Sequence, residues 1–262
     1  LYNISGICYK TIGKLDEAVK SFEKALAIKP DYAEVHYNLG VTLQELGQLD
    51  EAVTCYEKAI AIKPDYAIAF NNLGLTLQKL GQLDEAVTCY EKALIIKPDF
   101  ADVCNNLGIT LKNLGRLDEA VTCYEKALAI KPDYAEAQNN LGNVFMDLDH
   151  IDSAVKCFES AIEIKPNYAE AHNNLGNALM ELGQLKASIR SFEKALDIKP
   201  NYAEAHNNLG NALTNIDQLD AALVHYARAL DLNPKLNFLL GQLLHTKMHL
   251  CIWDDLPNSL NE

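Results

Sequence analysis

Asparagine recurs with a period of 34 residues, and among the polar residues of this sequence it is the one best placed for binding chemistry. The ladder column consists of Asn38, Asn72, Asn106, Asn140, Asn174 and Asn208. Asparagine is a poor residue for a helix interior because its side chain competes for backbone hydrogen bonds. A carboxamide can, however, donate to and accept from a peptide group at the same time. The column is therefore a candidate for binding the peptide groups of a partner. The alternatives are bonds between neighbouring repeats and the shared ancestry of the copies.

Further residues of the period extend this polar strip. A flanking column precedes the ladder column by one residue and comprises Asn71, Asn105, Asn139, Asn173 and Asn207. One helical turn after the ladder column, the residue is apolar in three repeats, at Val41, Leu75 and Ile109, and polar in three others, at Asn143, Asn177 and Asn211. This change predicts a binding surface with an apolar half and a polar half. Drift between two blocks of duplicated sequence would produce the same pattern.

Glycine and proline define the elements that position these asparagines. Proline recurs every 34 residues from Pro30 to Pro234, and glycine forms one column from Gly6 to Gly210 and another from Gly13 to Gly183, with Asp149 and Asp217 at its two missing places. Glycine can end a helix in the left-handed conformation, and proline cannot continue a helix. Each period therefore predicts two helices.

Two finer expectations follow from the period that spans residues 31–64. Asp31 is predicted to cap its first helix, with Glu34 closing a capping box, and Asp50 to open its second helix. Gly40 lies inside the first helix, where glycine costs ~1 kcal/mol relative to alanine. A cost repeated in every period predicts close approach of the paired helix, with the ring of Tyr56 or its equivalent beside the glycine.

The remaining residues that could do chemistry are better explained by packing. Thiols one period apart on second helices lie beyond disulfide reach; these are Cys55, Cys89, Cys123 and Cys157. Histidines near the starts of first helices replace large apolar residues, at His36, His172 and His206. His245, His249 and Cys251 are too few for a metal site. Since the sequence has no nucleophile motif or phosphate-binding loop, we expect no active site, no cofactor and no metal.

Charge and composition argue against some classes of binding partner and favour one cellular compartment. The 262 residues include 23 Lys and Arg and 36 Asp and Glu, for a net charge of −13. An acidic chain argues against binding to nucleic acid or to an anionic membrane. No apolar run is long enough to span a bilayer. An odd number of cysteines, seven, favours a reducing compartment and hence the cytoplasm. The sequence begins with Leu1 rather than Met, so we expect an upstream repeat to be missing.

The small and aromatic columns together resemble the tetratricopeptide repeat family. The matching residues in one period are Leu39-Gly40, Ala52, Tyr56, Ala59 and Pro64. The resemblance implies an all-α, right-handed superhelical solenoid in which first helices line a concave groove that carries the ladder column. The array covers residues 1–236 as seven units, the first truncated. The Lys and Arg clamp of chaperone-binding members is absent from the corresponding positions.

The tail, residues 237–262, breaks the period and is predicted to be a capping helix followed by a junction. The segment FLLGQLLHTKMHLCIWDDL, residues 238–256, resembles the junction to the catalytic domain of O-GlcNAc transferase-like proteins. It departs from the usual Cys-Asp-Trp, because it reads Cys251-Ile252-Trp253-Asp254. The resemblance implies a glycosyltransferase domain downstream and a repeat array that selects substrates or partners as extended peptides. The alternative is a free-standing scaffold or adaptor that forms homo-oligomers through its end repeats.

Overall fold

The computed structural model describes residues 1–235 and 239–250, and all regular secondary structure in these ranges is α-helical. The helices in chain order are α1 Tyr2–Thr11, α2 Leu15–Ile28, α3 Ala33–Glu45, α4 Leu49–Ile62, α5 Ala67–Lys79, α6 Leu83–Ile96, α7 Ala101–Asn113, α8 Leu117–Ile130, α9 Ala135–Asp147, α10 Ile151–Ile164, α11 Ala169–Glu181, α12 Leu185–Ile198, α13 Ala203–Thr214, α14 Leu219–Leu232 and α15 Leu239–His249. Each period folds as a first and a second helix, so the prediction of an all-α repeat solenoid is confirmed.

The turn between the two helices of a pair has the predicted left-handed backbone. The five glycines of this column have φ angles between 70° and 79°, and Asp149 and Asp217 have φ angles of 60° and 62°. A Cβ atom on any of these glycines would meet nothing within 4 Å. The backbone conformation, rather than crowding, therefore favours glycine here.

The predicted aspartate caps are wrong. Helix α3 begins at Ala33 after Tyr32, and neither that helix start nor the start of α4, after Gln48, has a side-chain cap bond. The turn closes through backbone groups instead, since the Gln48 amide donates to the Leu43 carbonyl at 2.9 Å. Asp50 lies in the first turn of α4, where its charge is favourable to the helix dipole.

The glycines inside the first helices lie against aromatic rings of the second helices, as predicted. A Cβ atom built on Gly40 would lie 2.8 Å from Cε1 of Tyr56, and one on Gly6 would lie 2.5 Å from the ring of Phe22. Tyr56 and Phe22 are completely buried. Only a residue without a Cβ lets the first helix approach the ring this closely.

Contacts divide the chain into two compact units, residues 1–132 and 133–262. In the first unit, helices adjacent in sequence pack together and consecutive first helices also touch, α1 with α3, α3 with α5 and α5 with α7. In the second unit, α9 contacts α11, α11 contacts α13, and α15 packs on α14. The first helices therefore form a continuous surface within each unit, which we call the first-helix surface.

Helix α15 joins the core of the second unit. Leu239 and Leu243 are buried against Leu209, Leu213 and Tyr226. Residues 251–262, which include the tail cysteine and tryptophan, lie outside the described residues. The boundary at residues 236/237 and the capping role of the tail stay predictions. Every helix within residues 1–235 and 239–250 is too short or too polar to cross a lipid bilayer.

Candidate functional site

The ladder asparagines of the first unit bond to the preceding repeat. Asn38 Nδ2 donates to Asn3 Oδ1 at 3.3 Å, and Asn106 Nδ2 donates to Asn71 Oδ1 at 3.1 Å. Where the flanking position holds Tyr37, its hydroxyl accepts from Asn72 Nδ2 at 3.0 Å. The donor and acceptor residues of each bond are 35 positions apart.

The second unit repeats this geometry. Asn174 Nδ2 donates to Asn139 Oδ1 at 3.0 Å, and Asn208 Nδ2 donates to Asn173 Oδ1 at 3.1 Å. One alternative from the sequence, that asparagines join neighbouring repeats, is therefore realised inside both units. These bonds fix the orientation of the carboxamides of Asn38, Asn72, Asn106, Asn174 and Asn208, which remain half-buried rather than fully covered.

The flanking column lies deeper than the sequence suggested. Four of its members are only 5–7% exposed, namely Asn71, Asn105, Asn139 and Asn173. Flanking side chains donate to the neighbouring ladder oxygen, Asn71 to Asn72 at 3.1 Å and Asn207 to Asn208 at 3.5 Å. These four amides are buried beside the ladder asparagines, so whether the flanking column widens the polar strip that a peptide would contact stays a prediction.

The column one turn after the ladder differs between the units. Its apolar members Val41, Leu75 and Ile109 all belong to residues 1–132, and its polar members Asn143, Asn177 and Asn211 all belong to residues 133–262; all six are half-buried. Asn211 Oδ1 already accepts from the Tyr226 hydroxyl and from Gln242 Nε2, each at 2.9 Å.

Acidic residues rim the first helices near their starts. Glu34, Glu136 and Glu204 are exposed. Ion pairs among the described residues of the second unit include Lys165 with Glu136 at 2.9 Å and Lys199 with Glu170 at 3.3 Å. About half of each of these side chains is exposed, so these pairs add little stability.

A buried polar triad links three helices in the first unit and was not predicted. Gln44 Oε1 accepts from the Tyr56 hydroxyl at 2.9 Å and from Thr76 Oγ1 at 3.1 Å. Gln78, Tyr90 and Thr110 make the same triad one repeat later. Burial raises the pKa of both tyrosines, which keeps each hydroxyl protonated as a donor.

The first-helix histidines have a second role that the sequence reasoning missed. His36 Nε2 donates to the Pro30 carbonyl at 2.8 Å, and His172 and His206 make the equivalent bond to Pro166 and Pro200. A spacing of six residues from proline to histidine in three repeats is the signal that could have revealed it.

The thiols and the histidine pairs show no metal chemistry among the described residues. Cys55 and Cys89 are buried, Cys123 is half-buried, and burial raises the pKa of the last two to about 11. His206 Nδ1 and His225 Nδ1 lie 2.9 Å apart. Among residues 1–235 and 239–250, no three His, Cys, Asp or Glu side chains converge as ligands for a metal ion.

Solved structures with the same architecture include several repeat proteins. The structure titled "Crystal structure of MamA" is 27% identical, has a TM-score of 0.60, and aligns over 63% of this chain and 96% of its own. A protein titled YrrB, "a TPR protein with an unusual peptide-binding site", is 24% identical with a TM-score of 0.59, over 71% of this chain and 96% of its own. A tetratricopeptide repeat protein from Parabacteroides merdae is 17% identical with a TM-score of 0.73, over 94% and 97%.

Comparison with curated proteins gives no significant match. Family models do match. The model described as "TPR repeat" covers more than half of the chain, at residues 9–47, 43–81, 111–149, 142–183 and 176–217. Models described as "Tetratricopeptide repeat" match residues 67–100, 89–122 and 203–236. Repeats of this kind stack into extended binding surfaces and serve as protein–protein interaction modules that are typically non-catalytic. The chain belongs to the tetratricopeptide repeat family.

Proposed function

We propose that the chain binds extended protein segments on its first-helix surface and that the ladder asparagines hold the segment by its backbone. The observation that supports this is a half-buried carboxamide in the same place on successive first helices, oriented by a bond to the preceding repeat. An asparagine amide has two N–H donors and two lone pairs on its oxygen. Asn72, which donates once and accepts once within the chain, keeps one N–H and one lone pair for a ligand.

The spacing between successive ladder asparagines suits an extended peptide ligand. Packed helices lie ~8–10 Å apart, and an extended peptide covers ~3.3–3.6 Å per residue. Successive ladder asparagines therefore contact about every third residue of the ligand. Because the contacts are made to backbone groups, the surface accepts many sequences. The acidic rim and the net charge of −13 favour neutral or basic segments over acidic ones.

The flanking column supplies a matched control for the binding experiment. Asn106→Ala with Asn208→Ala removes two ladder amides together with their bonds to Asn71 and Asn173. Asn71→Ala with Asn173→Ala breaks the same two bonds from the buried side, together with the bonds that these residues donate to Asn72 and Asn174, and leaves the ladder amides in place.

The measurement is affinity for a panel of unstructured fluorescent peptides, with the helical content checked by circular dichroism. We expect the ladder double variant to lose ~1–3 kcal/mol of binding free energy. The flanking double variant loses the bonds that orient the ladder amides but keeps the amides themselves, so it should bind more tightly than the ladder double variant. Equal affinities in both variants would leave the asparagines with a purely structural role.

We further propose that the array is the substrate- or partner-selecting arm of a longer, O-GlcNAc transferase-like protein. This rests on the sequence of residues 238–256. Reading the gene beyond Glu262 tests it. A downstream glycosyltransferase domain is the expected result, and any other continuation would contradict the arm while leaving the binding proposal intact.

Self-association through an end repeat is the second candidate. Helix α1 exposes Ile4 by 66%, and the residues that flank this helix, Leu1 and Ile12, are exposed by 98% and 65%. Val35, which corresponds to Leu1 one period later, is fully buried. Analytical ultracentrifugation of wild type and of Ile4→Glu tests this candidate. Dimers in the wild type that dissociate in the variant would support it, and a monomeric wild type would exclude it.

A further inference from the structure

A cleft of about 450 Å³ opens between α13, α14 and α15 in the second unit. Its walls include Asn211, Thr214, Gly241, Gln242 and Thr246. The full lining contains no carboxylate and no Lys or Arg side chain. The cleft lies at the end of the first-helix surface, because Asn211 belongs to that surface and α15 follows the last helix pair. We call it the amide cleft.

The amide cleft exists because one carboxamide of the repeat pattern is missing. Gly241 and Gln242 lie 34 residues after Asn207 and Asn208, so they take the flanking and ladder positions. In earlier repeats the flanking carboxamide donates to the ladder oxygen, as Asn207 does to Asn208 at 3.5 Å. Gly241 has no side chain to do so, and Gln242 Oε1 is buried without a hydrogen-bond partner.

A second acceptor is orphaned in the same unit. By the pattern of the ladder, residue 242 would donate to Asn207 Oδ1, 35 positions earlier, as Asn208 donates to Asn173. Gln242 is longer by one methylene and donates to Asn211 Oδ1 at 2.9 Å instead. Asn207 Oδ1 is consequently also buried without a partner. Buried acceptors without donors are costly, and a ligand that donates relieves that cost.

We propose that the amide cleft binds the side chain of an asparagine or glutamine in a protein segment held on the first-helix surface. The ligand amide takes the place of the missing flanking carboxamide and donates to Gln242 Oε1 once the Gln242 side chain turns this buried oxygen toward the cleft. Asn215 and His245, which also line the cleft and are exposed, offer donors to the ligand oxygen. This inference rests on the proposed function, since it names a side chain that the bound segment carries.

Other side chains fit the amide cleft less well. A carboxylate would set its oxygens against the acceptor oxygen of Gln242 with no cation to compensate. An ammonium group would find no carboxylate in the lining, so it would lose hydration without gaining a charge partner. A leucine has the shape of asparagine but leaves the buried oxygen unpaired.

Three peptides that differ at one central residue test the selectivity. Each is a neutral Ala/Ser peptide with Asn, Asp or Leu at its centre, and affinity for the full chain is measured by fluorescence anisotropy. We expect the Asn peptide to bind about tenfold more tightly than the other two, because a site that needs a donor rejects analogues that lack one. Similar binding of the three peptides would overturn the amide cleft and leave the proposed function standing.

Two variants at one position provide the structural control. Gly241→Asn restores the missing carboxamide from within the chain, so the preference for the Asn peptide should disappear. Gly241→Ala should keep it, since a Cβ atom there meets nothing within 4 Å and leaves most of the cleft open. Loss of the preference in both variants, or in neither, would contradict the inference.

Acetamide is a probe that does not depend on peptide binding. In an NMR titration of the full chain, we expect acetamide to shift the side-chain amide signals of Gln242, identified by Gln242→Glu, in wild type and in Gly241→Ala but not in Gly241→Asn. Absence of shifts in the wild type would overturn the inference. If acetamide binds while no peptide does, the amide cleft is real and the proposed function is wrong.

Discussion

At the scale of single residues, glycine shows most directly how the sequence sets the packing. A Cβ atom on Gly108 would lie 2.8 Å from Cε1 and Cζ of Tyr124, whose buried ring has no room to swing away. We predict that Gly108→Ala destabilises the chain by ~1–3 kcal/mol through overpacking, although alanine favours a helix by ~1 kcal/mol.

Urea unfolding measures this effect, and Gly241→Ala is the matched control. Both glycines lie in helices, but a Cβ atom on Gly241 meets nothing within 4 Å. Gly241→Ala should therefore be neutral or stabilising by up to ~1 kcal/mol. Equal stability of Gly108→Ala and wild type would refute the close approach of helix and ring.

The pair formed by His206 and His225 predicts a pH dependence. His206 Nε2 donates to the Pro200 carbonyl, so the neutral ring accepts at Nδ1 from Nδ1 of His225. Protonation of both rings would place an N–H group on each of the two facing Nδ1 atoms and break this bond. Burial lowers the pKa of both histidines below 6.5, and Arg228 lowers that of His206 further. The unfolded chain thus binds protons more readily than the folded chain. The stability that the neutral histidine pair contributes is therefore present above pH 6.5 and is lost as the pH falls through the folded-state pKa.

Thermal unfolding between pH ~7.5 and pH ~5 checks this expectation. His225→Ser is the control, because the preceding repeat has Ser191 at the corresponding position. Wild type should lose more Tm on acidification than His225→Ser. The same loss in both proteins would mean that the histidine pair does not control the acid response.

The sequence predicted the roles of the glycines better than it predicted the hydrogen-bond partners of the asparagines. The glycine columns were predictable because each requires one local cause, a positive φ or a nearby ring. The partners of the asparagines were not, because the bond from Asn106 to Asn71 depends on the register between helices of different repeats. Tertiary packing sets that register, and the sequence contains no local signal for it.

At the scale of helix pairs, three positions change together between a repeat of the first unit and its counterpart three periods later. Gln44, Tyr56 and Thr76 form a polar triad in the first unit. The corresponding positions in the second unit are Met146, Phe158 and Ala178, which share one apolar cluster. In these two repeats the tyrosine hydroxyl is present beside a polar partner and absent beside apolar neighbours, so each of the two sites is internally matched.

Phe158→Tyr should break this match. The new hydroxyl would be buried beside Met146 with no acceptor, at a cost of ~1–3 kcal/mol. Adding Met146→Gln recreates the pairing of Gln44 with Tyr56 and should recover a large part of the loss. A double-mutant cycle by urea unfolding measures the coupling. Additive effects of the two substitutions would show that the hydroxyl finds another partner.

At the scale of the whole molecule, the 34-residue period was sufficient to predict the seven helix pairs and the all-α class. It predicted less about where the regularity ends. Gly241 and Gln242 keep the register of the repeat but replace its two asparagines. The side-chain oxygen of Gln242 is then left without a hydrogen-bond partner, which becomes visible only once the helices are packed. The irregular tail therefore needed the structure, whereas the sequence alone was enough to predict the helix pairs of the regular array.

The last prediction concerns helix α15. Each repeat is stabilised mainly by its neighbours, so an uncovered terminal repeat is poorly soluble. Ending the chain at Lys235 uncovers Leu209, Leu213 and Tyr226, which α15 buries through Leu239 and Leu243. We expect the truncated chain to aggregate or dimerise and to lose hydrogen-exchange protection in α13 and α14 before α11. Light scattering and exchange mass spectrometry check this, with Leu240→Ser, at a partly exposed position of α15, as the control that should leave the chain unchanged. A truncated chain that stays monomeric with unchanged protection would mean that α15 serves the segment after it rather than the array before it.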